Sequence, residues 1–299
     1  MIFLKKILSA AALVTSMLLI ISGCSFRKEP EEKEEHIPAT SQPFTERTVE
    51  TAGGTYVFDN AGLLNADDLK ACNDYAGWLY TNKLINTAVV TVNDLGGKTP
   101  YDYALDEYNK LYEGKGSGLV VLVNNATNND IVFRTGACLS SVSQKSQENA
   151  VFWATKEFIG GDYRKGIMRL LQLGELCPEH IIDNAQVFES EQMKKIEKGL
   201  SSCDGCVMLL ASRNGSGVPN ETVLKDYYDR LSADKKGIML MIDTNSKAII
   251  AHSDDKLPEK LQSALKNANE LAAKEDYFGA MNKIIESLGG KSISSEKKK

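Results

Sequence analysis

The chain has 299 residues, 42% of them apolar and 25% charged, and a formal net charge of −5. That balance fits folded material rather than a disordered chain, and the length accommodates two domains of ordinary size. A mildly acidic chain without a basic stripe is excluded as a general binder of nucleic acid or of an anionic membrane surface.

Residues 1–23 read as a leader. Lys5 and Lys6 form a basic start, residues 7–21 are almost wholly apolar and uncharged, and Ile21-Ser22-Gly23-Cys24 ends the run. The run is short for a membrane span and suits a secretory signal. Its end resembles the bacterial lipobox, a branched apolar residue and two small ones before Cys. The resemblance implies diacylglycerol on the Cys24 thiol and cleavage before it. The chain would then be lipid-anchored to the membrane on the extracytoplasmic side of a bacterial cell envelope. The alternatives are an ordinary signal peptide or an N-terminal anchor. Residues 24–52 follow as an acidic tether, because Glu29-Pro30-Glu31-Glu32-Lys33-Glu34-Glu35 is too charged to bury a face.

A first module is expected over residues 53–176. It opens on Val57-Phe58-Asp59-Asn60-Ala61-Gly62-Leu63-Leu64, an extended segment that turns into a helix, with Asn65 placed to cap that helix. Helical spacing of Leu69, Cys72, Ala76 and Leu79 predicts a helix over 67–80. The β-branched run 87–92 reads as a buried strand, and 93–97 as a loop. A second helix is expected over 101–112, its Tyr stripe read as packing. Residues 119–123 form the most apolar strand, which turns through 124–129 and returns at 131–133 as a hairpin. Helices over about 143–158 and 162–173 close the module.

The opening stretch recurs 124 residues later as Ile181-Ile182-Asp183-Asn184-Ala185-Gln186-Val187-Phe188. The same order of elements follows in a second module, 179–289: helix 190–200, strand 207–210, helix 221–231, strand 238–242, return strand 248–250 and helices 257–273 and 277–288. Gly118 corresponds to Gly237, each just before the central strand. Gly161-Asp162-Tyr163 corresponds to Glu275-Asp276-Tyr277. Residues 290–299 read as a polar tail. The expected fold class is α/β: two tandem α/β/α sandwich modules, each around a small mixed β-sheet.

Besides Cys24 there are five cysteines, and an odd number leaves at least one thiol unpaired within the monomer. Cys203 and Cys206 form a CxxC, but a helical stretch precedes it and a strand follows, the reverse of a thioredoxin-like site. It reads as a local bridge or as buried apolar thiols. Zinc would need ligands that do not accompany it.

Together, the acidic opening at Asp59, the strand 87–92, the glycine-led strand 118–123, the return ending at Gly136, and Gly161-Asp162-Tyr163 resemble the TPM domain. That domain occurs in bacterial extracytoplasmic proteins and in a thylakoid lumen phosphatase. The likeness is fuller over 53–174 than over 179–289. It implies an α/β/α sandwich with a divalent-cation site, usually Ca²⁺, made by acidic residues near one end of the sheet. Some members are reported to hydrolyse phosphate esters. This chain departs from the pattern. Lys115-Gly116-Ser117 stands where relatives carry Asp or Asn, and the return strand ends Arg134-Thr135-Gly136-Ala137-Cys138-Leu139.

In open α/β sheets ligands settle beyond the strand carboxyl ends. Asp59, Asp94, Asn124 and Asn125 are therefore the candidate metal ligands, their hard oxygens suiting Ca²⁺. Turn preference alone also explains Asn124 and Asn125. Module two offers Asp183 and Asp243, but Arg213 follows its first long strand and would oppose a cation. No nucleophile signature and no phosphate loop is present. The sequence reads as a cell-surface lipoprotein acting as a binding or assembly module with a protein partner at the envelope. The alternative is a metal-assisted phosphatase acting on phosphate monoesters.

Overall fold

The computed structural model describes residue 49 and residues 53–293, apart from 128, 216 and 232. The leader, Cys24, the tether other than residue 49, and the end of the tail lie outside the described residues. Among those described, no helix is long and apolar enough to cross a membrane.

Module one runs β1 (Val57–Asp59), α1 (Ala66–Asn82), β2 (Asn86–Val92), α2 (Pro100–Tyr112), β3 (Gly118–Asn124), β4 (Ile131–Thr135), α3 (Ala137–Ser141), α4 (Gln144–Ile159) and α5 (Tyr163–Leu171). The sheet order is β1-β2-β3-β4. The first three strands are parallel and β4 returns antiparallel. Strands β2 and β3 are buried at every residue, the reason they read as continuous apolar runs rather than alternating ones. Asn65 caps α1 by accepting from the Asp68 amide at 2.9 Å.

Module two runs β5 (Ile181–Asp183), α6 (Ser190–Leu200), β6 (Val207–Ser212), α7 (Asn220–Asp229), β7 (Ile238–Asp243), β8 (Ala248–His252), α8 (Glu259–Ala272) and α9 (Tyr277–Ser287). Its sheet order is β5-β6-β7-β8, with the same pattern of three parallel strands and one antiparallel. The fold is two tandem α/β/α sandwiches, each on a four-stranded mixed sheet.

In both modules the two crossover helices lie on opposite faces. Helix α1 packs with α4 and α5 on one face of its sheet, while α2 covers the other alone. Likewise α6, α8 and α9 share one face and α7 takes the other. Since both crossovers step the same way across the sheet, opposite faces mean opposite hands. One connection per module therefore departs from the usual right-handed rule. The functional consequence is geometric. Loops leaving neighbouring strands for opposite faces open a crevice at the strand carboxyl ends.

The glycines that lead the central strands are dictated by crowding. A Cβ on Gly118 would sit 2.3 Å from the Tyr108 ring, and one on Gly237 would sit 2.2 Å from the Cys206 carbonyl oxygen. Helix α3 has no counterpart in the expected elements. It is too short to show a period, and Gly136 builds it: φ is +58° there, and a Cβ would meet Ser117 Cα at 2.9 Å.

Both modules belong to one compact unit. Leu84, in the turn between α1 and β2, is fully buried in the apolar cluster between sheet two and α7, with Met208, Leu210, Leu224 and Tyr228. Nearby, Arg230 lies 3.9 Å from the Tyr80 ring centroid, and Lys235 donates to the Asn82 carbonyl at 3.0 Å.

Candidate functional site

Asp59 ends β1 and folds its carboxylate back on the following turn. Oδ1 accepts from the Leu63 amide at 3.0 Å and Oδ2 from the Leu64 amide at 2.9 Å. The Thr91 hydroxyl also donates to Oδ1, and itself accepts from the Ala61 amide at 3.0 Å. Burial raises the Asp59 pKa. The Thr91 hydroxyl and the amides of Leu63, Leu64 and Gly62 outweigh burial, so the carboxyl stays below the ordinary aspartate range. Asp183 repeats the arrangement at the end of β5, taking the Val187 amide at 3.2 Å and the Phe188 amide at 3.0 Å.

The other sequence-predicted ligands lie along the carboxyl edge of β1, β2 and β3, each with a partner. Asp94 accepts from the Gly96 amide at 2.9 Å. Asn124 donates to Thr127 at 2.7 Å and accepts from the Ala126 amide at 3.2 Å. Asn125 donates to Asn93 at 2.9 Å and accepts from the Tyr163 hydroxyl at 3.2 Å. Sequence reasoning passed over Asp130, which is buried and accepts from the Asn124 amide at 2.9 Å. Burial pushes its carboxyl above the ordinary range. The Asp94, Asn124 and Asp130 bonds close local turns, whereas those of Asn125 reach Asn93 and Tyr163 on other segments. A Ca²⁺ ion takes about six to eight oxygens. Among the described residues no three His, Cys, Asp or Glu side chains converge to hold a metal.

The crevice at the carboxyl ends of β5 and β6 is different, because module one stands over it. A cleft of about 570 Å³ opens there. Asn184, Arg213, Gly215 and Tyr227 line it from module two, and Lys115 and Thr135 from module one. Beside it a hydrogen bond joins the modules: the Ser117 hydroxyl donates to Asn184 Oδ1, while within module two Asn184 Nδ2 donates to the Tyr227 hydroxyl at 3.1 Å. Gly116 is required here, since its φ is +81° and a Cβ would meet the Tyr227 hydroxyl at 2.7 Å.

The cleft is electrostatically one-sided. Among its described lining residues none is acidic, and two are basic. Lys115 is paired with Glu113 outside the cleft. Arg213 is exposed and makes no ion pair with a described residue. Asp243, at the end of β7, does not line the cleft and ties the loop after β6 to the loop after β7. It accepts from the amides of Asn214 at 3.0 Å, Asn245 at 3.1 Å and Ser246 at 3.1 Å. Burial would raise its pKa, but these bonds and the Ser246 hydroxyl hold it low. The chemistry on offer is recognition of an anionic or amide-bearing group. Among its described lining residues there is no nucleophile–base pair.

Residues 57–173 match the family model described as the TPM domain. No curated protein matches the chain. Among solved structures, the chain is similar to the N-terminal domain of a protein from P. gingivalis, solved by solution NMR. It shares 18% identity over 40% of this chain and 80% of that one, with a TM-score of 0.37. A second similar structure is the N-terminal domain of a Corynebacterium glutamicum protein, also solved by NMR. The values there are 14% identity, 44% of this chain, 88% of that chain and a TM-score of 0.34.

Proposed function

Residues 57–173 are a TPM domain, and from that premise we propose that the chain is a lipid-anchored binding module of a bacterial cell envelope. It is held at the membrane through Cys24 and engages an envelope protein in the cleft between its modules. The anchoring part rests on the basic start, the apolar run and Ser22-Gly23-Cys24. The binding part rests on one observation: a polar cleft at a sheet's carboxyl edge, with an unpaired Arg213 and no acidic lining residue among those described. A guanidinium presents a flat fork of donors suited to a carboxylate. The partner therefore inserts an acidic side chain or a chain terminus.

A metal-assisted phosphatase would need a metal, a base or bound hydroxide, and a group for the phosphate charge. The module-one edge spends its carboxylates on backbone amides, which supports binding over catalysis. Two measurements on the full chain separate the readings. A photo-crosslinking residue at Gly215, where a Cβ meets nothing closer than 3.6 Å, is expected to give one adduct of discrete mass in intact cells. The same residue at exposed Lys266 is expected to give none, and Arg213→Glu is expected to erase the Gly215 adduct. Hydrolysis of p-nitrophenyl phosphate with Ca²⁺ or Mg²⁺ is expected to stay at the buffer rate. Turnover lost in Asp59→Ala would instead establish the phosphatase.

A further inference from the structure

Cys138 is the second residue of α3, at the corner just after β4. Cys177 lies in the strap that carries the chain from module one to β5. Their sulfurs are 3.4 Å apart, and the two residues are 0% and 4% exposed. Both are thiols here. A disulfide needs about 2.05 Å between sulfurs, so a side-chain adjustment of little more than an ångström separates this contact from a bond. The strap is pinned at this point. Lys83, itself buried, donates to the Cys177 carbonyl at 2.9 Å.

We propose that Cys138 and Cys177 close into a disulfide when the chain folds in contact with a disulfide oxidant, clasping the strap between the modules to the corner of module one. The Cys177 thiolate attacks one sulfur of the oxidant and expels its first thiolate. Cys138 then gives up its proton, attacks the Cys177 sulfur of the mixed disulfide and expels the second. The two cysteines are oxidised, and the oxidant is reduced to two thiols. Because both sulfurs are covered in the folded chain, the exchange takes place before the core closes. In cells the bond rests on the extracytoplasmic reading, since disulfides persist in oxidising compartments. The geometry does not depend on it.

The test refolds the full chain in a mixture of glutathione and glutathione disulfide, quenches with acid, alkylates under denaturing conditions and maps the peptides. A linked peptide pair carrying Cys138 and Cys177 is expected in the parent chain and in Cys72→Ser, whose site lies in the same core. It is expected to vanish in Cys138→Ser and Cys177→Ser. The chain refolded in dithiothreitol is expected to melt about 10 °C below the chain refolded in the glutathione mixture. Alkylation of both thiols after refolding, or a bridge to Cys72 instead, would overturn the proposal. Peptides from cells quenched with the alkylating agent address location separately. A bond that forms in glutathione but is missing in cells would count against the envelope reading and leave the geometry standing.

Discussion

Asp59 and Asp183, 124 residues apart in the chain, make the same two hydrogen bonds to amides four and five residues on. The shared bonds are the physical content of the repeat. Yet the two carboxyls sit on opposite sides of the ordinary aspartate range. Asp183 is 1% exposed, and burial raises it beyond what the amides of Phe188 and Val187 take back. Asp59, partly open, is lowered.

The pH dependence of stability therefore has opposite signs at the two positions. Asp59 contributes stability above the unfolded aspartate pKa and loses it as pH falls through its depressed folded value. Asp183 contributes most below the unfolded value and loses it as pH rises through its raised folded value. Urea unfolding should show the gap between parent and Asp59→Asn shrinking from about pH 6 to about pH 3. The gap between parent and Asp183→Asn should grow over the same interval. Parallel trends would mean that burial does not separate the pair.

Leu84 holds the modules together through apolar burial and a backbone that pays for it locally, with φ at +52°. Leu84→Ala should cost about 2–5 kcal/mol by chemical denaturation. An exposed-site change such as Lys266→Ala should cost within about 0.5 kcal/mol. Equal effects would show that the inter-module cluster carries no weight.

The two strand-leading glycines should differ in tolerance. At Gly118 the obstacle is the Tyr108 ring, which can tilt, and overpacking of this kind costs about 1–3 kcal/mol. At Gly237 the obstacle is the Cys206 carbonyl, which accepts from Ile238 at 2.9 Å. Gly237→Ala should thus be the more damaging substitution, measured by melting temperature. The reverse order would mean that the β7 edge shifts more freely than its hydrogen bond suggests.

Calcium is expected to leave the melting temperature of the full chain where it is, at concentrations up to the millimolar range. Ligand binding to the native state must raise it, so a rise is the contrary result. If that rise is lost in Asp59→Ala, the ion sits at the module-one edge and displaces the amides there. If it survives, other oxygens hold the ion.

What could be read from the sequence was local. The Asn65 cap and the turns after Asp59 and Asp183 each involve partners within five residues, so residue type and order suffice. The caps at Asp162 and Asp276 are of the same kind, each accepting from the amide three residues on. The cleft was not legible. Ser117 meets Asn184 across 67 residues, and Leu84 joins Tyr228 in a cluster drawn from both modules. No period or motif records such a meeting. Arg213 was visible as a cation after a strand. Its position facing module one depends on how the modules pack, which neither half encodes alone. Asp94, Asn124 and Asn125 were placed on the right edge. Whether their oxygens were free depended on loop geometry, and the loops use them.

The burial of Leu84 also sets an order of events during synthesis. Module one can complete both faces of its sheet before β6 and β7 exist, because its own helices cover them. The pocket that receives Leu84 is made of residues 182–241 and is absent until they emerge. A nascent chain halted between the modules therefore shows water an apolar knob, beside the Tyr80 ring face that Arg230 later covers. That edge is where a holding chaperone would act, and where two stalled chains would adhere.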